Sequence, residues 1–153
     1  MGLWLFANDY TEKLQLPVNP PELNIKTGNK NTVVDIQGLG EANLIGKPTL
    51  AEIEIASFFP VVWGPYCAYR DIPAPWQTVL LIRKWKVEGK PIRFYVTDTP
   101  INVINVAVAI EEFTYGMKGG TNDVYYTLLL KEYRQLSVPT IGTIERPNLM
   151  VAP

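Results

Sequence analysis

Two pairs of carboxylates are the first candidates for chemistry in this sequence, Glu52 with Glu54 and Glu111 beside Glu112. A glycosidase works with two such groups, one as the acid and the other as base or nucleophile. Neighbouring residues of a strand project to opposite faces, so Glu111 and Glu112 are not expected to share a site. Glu52 and Glu54 do share a face, but Ile53 and Ile55 between them make the alternation of an ordinary half-buried strand. Phosphate chemistry fares no better. A P-loop needs four residues between its glycines and Ser or Thr after its lysine, whereas five lie between Gly40 and Gly46, and Pro48 follows Lys47. A dinucleotide fingerprint fails because Asn43 stands where its third glycine belongs. Gly38 to Lys47 is therefore expected to be a glycine-bent β connection.

The sequence contains no histidine, which removes the commonest general base, the commonest metal ligand and the base of Ser-His or Cys-His pairs. Cys67 is the one cysteine, so no intrachain disulfide can form, and without a histidine partner it is expected to pack as a small hydrophobe. No catalytic residue, cofactor or metal is expected. What remains is an aromatic set, Trp63, Tyr66, Tyr69 and Trp76 with Arg70 among them. Such residues anchor protein interfaces, stack against sugars or tuck over a core. Trp63, Tyr66, Tyr69 and Arg70 are the interface candidates in this loop.

Hydrophobic residues make up 47% and charged residues 19%, which describes a globular chain with a rather apolar surface. With net charge −1, nothing draws it to nucleic acid or to an anionic membrane. The amino terminus meets an acid at Asp9 and lacks a basic region, so it is read as neither a signal peptide nor a membrane span. Assembly in the cytoplasm is the expectation.

The elements that must position these residues are mostly β. Leu14, Leu16 and Val18 alternate with polar residues or proline; Leu23, Ile25 and Thr27 repeat the pattern; Thr32 to Ile36 is β-branched; Ile53 and Ile55 alternate with glutamates. Phe58 to Trp76, dense in proline and aromatics, is expected to be a long ordered loop. One helix is predicted from Pro75 to Glu88, with proline in its first turn, Trp76, Val79, Ile82 and Trp85 recurring every three residues, and Gly89-Lys-Pro91 as the stop. Ile92, Phe94 and Val96 alternate again, and Val103 to Tyr115 and Val124 to Arg134 form a long hairpin around Gly116 to Asp123. Both faces of that hairpin are partly apolar, so the second face must meet the helix, another sheet or another subunit. The fold class expected is mostly β, antiparallel and sandwich- or barrel-like, with one α-helix near residues 75–88. Residues 1–136 are read as one domain. Residues 137–153 read either as a frayed terminus or, as their apolar content favours, as an extended arm along a neighbouring subunit, with Ile141, Ile144, Leu149 and Met150 as further interface candidates.

Several phrases in order carry a family likeness: Leu-Gln-Leu-Pro-Val-Asn-Pro-Pro-Glu22, Thr-Gly-Asn-Lys-Asn-Thr-Val-Val-Asp-Ile-Gln-Gly-Leu-Gly-Glu41, Leu-Ile-Gly-Lys47, Ser-Phe-Phe-Pro60, Trp-Lys-Val-Glu-Gly-Lys-Pro-Ile-Arg93, Ile-Glu-Glu-Phe-Thr-Tyr-Gly116 and Asp-Val-Tyr-Tyr-Thr-Leu-Leu-Leu-Lys-Glu-Tyr133. From about Leu14 to Tyr133 the chain resembles the amino-terminal domain of the LysM-type baseplate proteins of contractile phage tails and tail-like bacteriocins. The resemblance implies a structural subunit that glues the central hub and tube end to the surrounding wedge proteins. Its partners would be baseplate, hub and tube proteins, and its copies would form a ring of six. The family pattern continues into a LysM module, a peptidoglycan-binding or docking domain with no counterpart in these residues. The connecting role therefore falls to the β domain and to Ser137–Pro153. A carbohydrate- or peptidoglycan-binding β module is the alternative.

Overall fold

The computed structural model describes residues 2–98 and 104–134. Its nine strands and one helix run in the order β1 Gly2–Ala7, β2 Glu12–Gln15, β3 Asn24–Lys26, β4 Thr32–Ile36, β5 Gly40–Leu44, β6 Glu52–Phe59, α1 Pro75–Glu88, β7 Ile92–Thr97, β8 Ile104–Met117 and β9 Val124–Glu132. Seven strands form one sheet in the order β2-β1-β7-β8-β9-β6-β3, and β4 and β5 pair only with each other. Every pairing is antiparallel. The mostly β expectation therefore holds, with its single helix at the residues the sequence predicts.

The sheet curls. Five strand spacings would separate β2 from β6 by about 24 Å in a flat sheet. Yet the Ser57 hydroxyl of β6 donates to the Val18 carbonyl, just beyond β2, at 2.9 Å. Cys67 bridges the same Val18, and the Ala68 N–H donates to the Pro17 carbonyl at 2.7 Å. The connection following β6 thus closes over the sheet's open side. Proline at position 17 has no N–H to give, and the β2 ladder stops at Gln15, although Leu16 and Val18 stay buried.

The inward face is one continuous core of alternate residues, Leu3 and Leu5 of β1, Phe94 and Val96 of β7, Val108 of β8, Leu128 and Leu130 of β9, and Ile53 and Ile55 of β6. α1 lies across it with Val79, Ile82 and Trp85 buried. Gly89 ends the helix in a left-handed conformation, its N–H on the Trp85 carbonyl at 3.3 Å. One member of the predicted apolar helix face departs: Trp76 is 46% exposed and stands edge-on to Tyr115. A spacing of three drifts about 60° per step around a helix of 3.6 residues per turn, so four such residues cannot all face one way.

Glu12 ties the helix to the first turn. Its carboxylate accepts from the Trp85 indole N–H at 2.9 Å and from Asn8 Nδ2 at 2.6 Å, and it pairs with the Lys84 ammonium. Lys84, then Trp85, hold the Glu12 carboxyl down to about 2, against an ordinary 4.5. A carboxyl that is harder to protonate when folded stabilises the fold above its unfolded value. That contribution is complete above about pH 4.5 and is lost as pH falls towards 2. Between those limits urea midpoints of the wild type are expected to fall more steeply than those of Glu12→Gln. Parallel slopes would show that the cluster does not couple to folding.

Two boundaries differ from expectation for physical reasons. β6 continues through Phe58 and Phe59, which pair with Tyr125 and Val124, so the loop starts only at Pro60. Phe59 is fully buried and stacks on Tyr126 at 4.2 Å. In β8 a bulge between Ile110 and Glu112 breaks the alternation. Inward residues switch there from Ile104, Val106, Val108 and Ile110 to Phe113 and Tyr115. That shift accounts for the apolar residues on both apparent faces of β8. Both Glu111 and Glu112 are exposed at the bulge. Val103 lies outside the described residues, so β8 is seen from Ile104.

Candidate interaction surfaces

The β4–β5 ribbon stands off the main sheet as an arm. Its base is a short ladder: Lys30 N–H to Lys47 O at 2.8 Å, Thr49 N–H to Gly28 O at 2.8 Å, and Gly46 N–H to Asn31 Oδ1 at 2.8 Å. Beyond that base Val33, Leu39, Leu44 and Ile45 are more than half exposed. Gly46 is required for this geometry, since a Cβ there would sit 1.8 Å from the Lys30 carbonyl oxygen. Gly46→Ala is expected to open the arm's base, raising protease cleavage and amide exchange across residues 28–48 while the core's urea midpoint stays near wild type. Unchanged exchange in the arm would contradict that placement.

The loop after β6 separates the predicted interface residues into two kinds. Arg70 lies over the Trp63 ring, 4.7 Å from its centroid, and Trp63 remains 40% exposed. Tyr66 is 53% exposed and tilts against Phe58 at 5.4 Å. With Val61 and Val62 these form an exposed apolar ridge. Tyr69 belongs to the scaffold instead: its O–H donates to the Gln15 carbonyl at 2.8 Å, and burial pushes its phenol up to about 12. Among the described residues no two of Trp63, Tyr66, Tyr69 and Trp76 are in ring contact with each other. Ile141, Ile144, Leu149 and Met150 lie outside the described residues.

The outward face of the sheet is also apolar in part. Tyr125 stacks on Phe58 at 5.4 Å with the Lys118 ammonium 4.2 Å from its centroid, and Phe6 contacts both Trp4 and Tyr95. A groove of about 770 Å³ runs past Phe58, Tyr115, Met117 and Tyr125, and a smaller one of about 480 Å³ lies between Trp4, Gln15, Tyr69 and Leu81. None of Glu52, Glu54, Glu111 and Glu112 lines either groove. Sequence reasoning missed the arm as a surface. Its signal was the apolar set Val34, Ile36, Ala42 and Leu44, which falls on one face once β4 and β5 are paired.

Similar architecture occurs in two solved particles. The chain superposes on a chain of the virion of the native gene transfer agent (GTA) particle with a TM-score of 0.56 at 15% identity, covering 87% of this chain and 92% of that one. On a chain from the tail of the empty GTA particle, determined with C6 symmetry, the TM-score is 0.59 at 14% identity, covering 88% and 92%. It shares its fold with components of those particles. In sequence it is 35% identical over 126 residues to the uncharacterized protein YqbP of Bacillus subtilis (strain 168). That alignment takes in 82% of this chain but spans only 57% of the relative's length. No family model matches the chain.

Proposed function

We propose that this protein is a structural baseplate subunit of a contractile phage tail or tail-like particle, joining the central hub and tube end to the surrounding wedge proteins. The observation that carries the reading is the β4–β5 arm, which pairs only with itself and exposes Val33, Ile36, Leu39, Leu44 and Ile45. A two-stranded ribbon is marginal alone in water, so an arm of this kind is suited to lie against a neighbour. The exposed ridge Val61, Val62, Trp63 and Tyr66 adds a second contact surface on the same subunit. The fold shared with chains of gene transfer agent particles, and the baseplate-like phrases in the sequence, support the same role. Copies would sit in a ring around the tube, six if the ring follows the tail's symmetry as in the C6 particle.

Epitope-tagged chain expressed with its particle should co-sediment with intact tails and appear at their base by immunogold labelling. Recovery only as soluble protein from lysates rich in tails would sink the reading. Titration of peptidoglycan fragments should leave tryptophan fluorescence without a saturable change. Saturation that is lost in Trp63→Ala would favour a glycan-binding module instead.

A further inference from the structure

Beside the edge strand β2, the smaller groove of about 480 Å³ has two unlike walls. One is the sheet, with Trp4, Lys13 and Gln15; the other is the loop and helix, with Asp71, Gln77 and Leu81. Lys13 and Asp71 thus line it as opposite charges, and neither has an ion-pair partner among the described residues. The ligand that suits this groove is partly apolar and extended, with an acid for the strand wall and a base for the loop wall. Consecutive side chains of an extended segment point to opposite sides, so an acid and a base next to each other in sequence meet that requirement.

The chain carries such a pair. Glu145 and Arg146 are the only charged residues beyond Arg134, and Ile144 precedes them. The chain also leaves the sheet in the matching row. The Tyr133 N–H donates to the Ala107 carbonyl, Ala107 pairs with Arg93, Arg93 with Phe6, and Phe6 with Lys13. From β9 to β2 that row crosses four strand spacings, about 19 Å in a flat sheet. Residues 135–144 can span about 33 Å, enough to follow the row and the curl of the sheet. A segment crossing the outward face this way meets Lys13 before Asp71, which is the order of Glu145 and Arg146.

We propose that the chain's own segment Ile144–Pro147 docks in this groove, with Glu145 against Lys13, Arg146 against Asp71 and Ile144 on Leu81. The two exposed ion pairs set the register, and apolar burial holds the segment. Pro139 and Pro147 restrict the free segment and so lower the cost of ordering it. The contact goes beyond the baseplate reading and does not depend on it. Its consequence is a subunit that holds its carboxyl-terminal segment itself rather than offering it to a neighbour.

Disulfide trapping in the full-length chain tests it. In a Cys67→Ser background, Gln77→Cys is combined with Asn148→Cys; Gln77 is exposed, and neither residue supplies the charges or the aliphatic contact. Oxidation of dilute protein should give an intrachain bond, seen as a fast-migrating monomer. Its yield should exceed that of Lys118→Cys/Asn148→Cys by roughly tenfold, because docking raises the local thiol concentration at Gln77 and not at Lys118, exposed just beyond the far end of β8. Lys13→Glu/Asp71→Lys should lower the Gln77 yield by roughly three- to tenfold, and adding Glu145→Lys/Arg146→Glu should restore it. Equal yields at Gln77 and Lys118 overturn the docking. So does a product that is dimeric and grows with protein concentration, which would place the segment on a second copy. Indifference to the charge reversals overturns the pairing of Glu145 with Lys13 and Arg146 with Asp71. Co-sedimentation with tails is a separate readout, so the tail role and this contact can fail independently.

Discussion

Replacing Trp85 with alanine is expected to destabilise the fold by about 3–5 kcal/mol, a large share of what a domain of this size possesses. Trp85 is the largest of the fully buried side chains, 1% exposed. It joins α1 to the core of the sheet, and its indole N–H also holds Glu12. Truncation therefore opens a cavity at the helix–sheet contact and removes one of the donors that keep the first turn in place. Trp85→Phe separates the two effects. It refills most of the volume and should cost about 1–2 kcal/mol, mainly through the lost hydrogen bond to a carboxylate that water can partly reach. Equilibrium urea unfolding read by far-UV circular dichroism distinguishes the cases. A loss below about 1 kcal/mol for the alanine variant would mean that the helix is not seated on the sheet through this residue.

The opposite behaviour is expected of Val34→Asp/Leu44→Asp. Both residues lie on the apolar face of the arm and neither belongs to the core, so the urea midpoint should stay near wild type. Burying a valine and a leucine against a partner is worth roughly 3–6 kcal/mol together, which is two or more decades in affinity. Incorporation of the variant into tail particles should accordingly fall to background in quantitative blots of purified tails. Wild-type incorporation would show that the arm's apolar face is not a contact surface. Loss of folding would show that the arm is part of the core after all.

Where periodicity is strong the architecture was readable from residues. The helix, β7 and β9 follow from alternation or capping, and α1 ends at Gly89 as its glycine suggests. β1 was not readable, because Trp4 and Phe6 alternate with Leu3 and Leu5 and leave no polar face to mark a strand. β5 hides for another reason: Gly40-Glu-Ala-Asn-Leu44 has weak β propensity and is a strand only because β4 pairs with it. The bulge at Glu111 was visible as a change of parity but reads equally as a two-faced strand. The site was legible only in composition. Trp63 and Arg70 do meet, yet nothing in the loop sequence separates exposed Tyr66 from tethered Tyr69. Whether an apolar face is covered depends on what the rest of the chain can spare. With one helix among the described residues, and that helix on the inward face, much of the arm stays exposed.

The position of β1 has a kinetic consequence. Gly2 to Phe6 pair with Thr97 to Arg93, placing the first strand between β2 and β7. During synthesis the leading segment must wait, unpaired along one edge, because its partners follow 87 positions later for Phe6 with Arg93 and 95 for Gly2 with Thr97. The β4–β5 ribbon, by contrast, needs only its own neighbours and can zip within microseconds. The ribbon's pairing can therefore be sampled long before the body folds, although a two-stranded ribbon is marginal until it has that body to hold its base. Closure of β1 on β7 is the late, non-local event expected to set the folding rate and the time at which a nascent subunit becomes competent to join its ring.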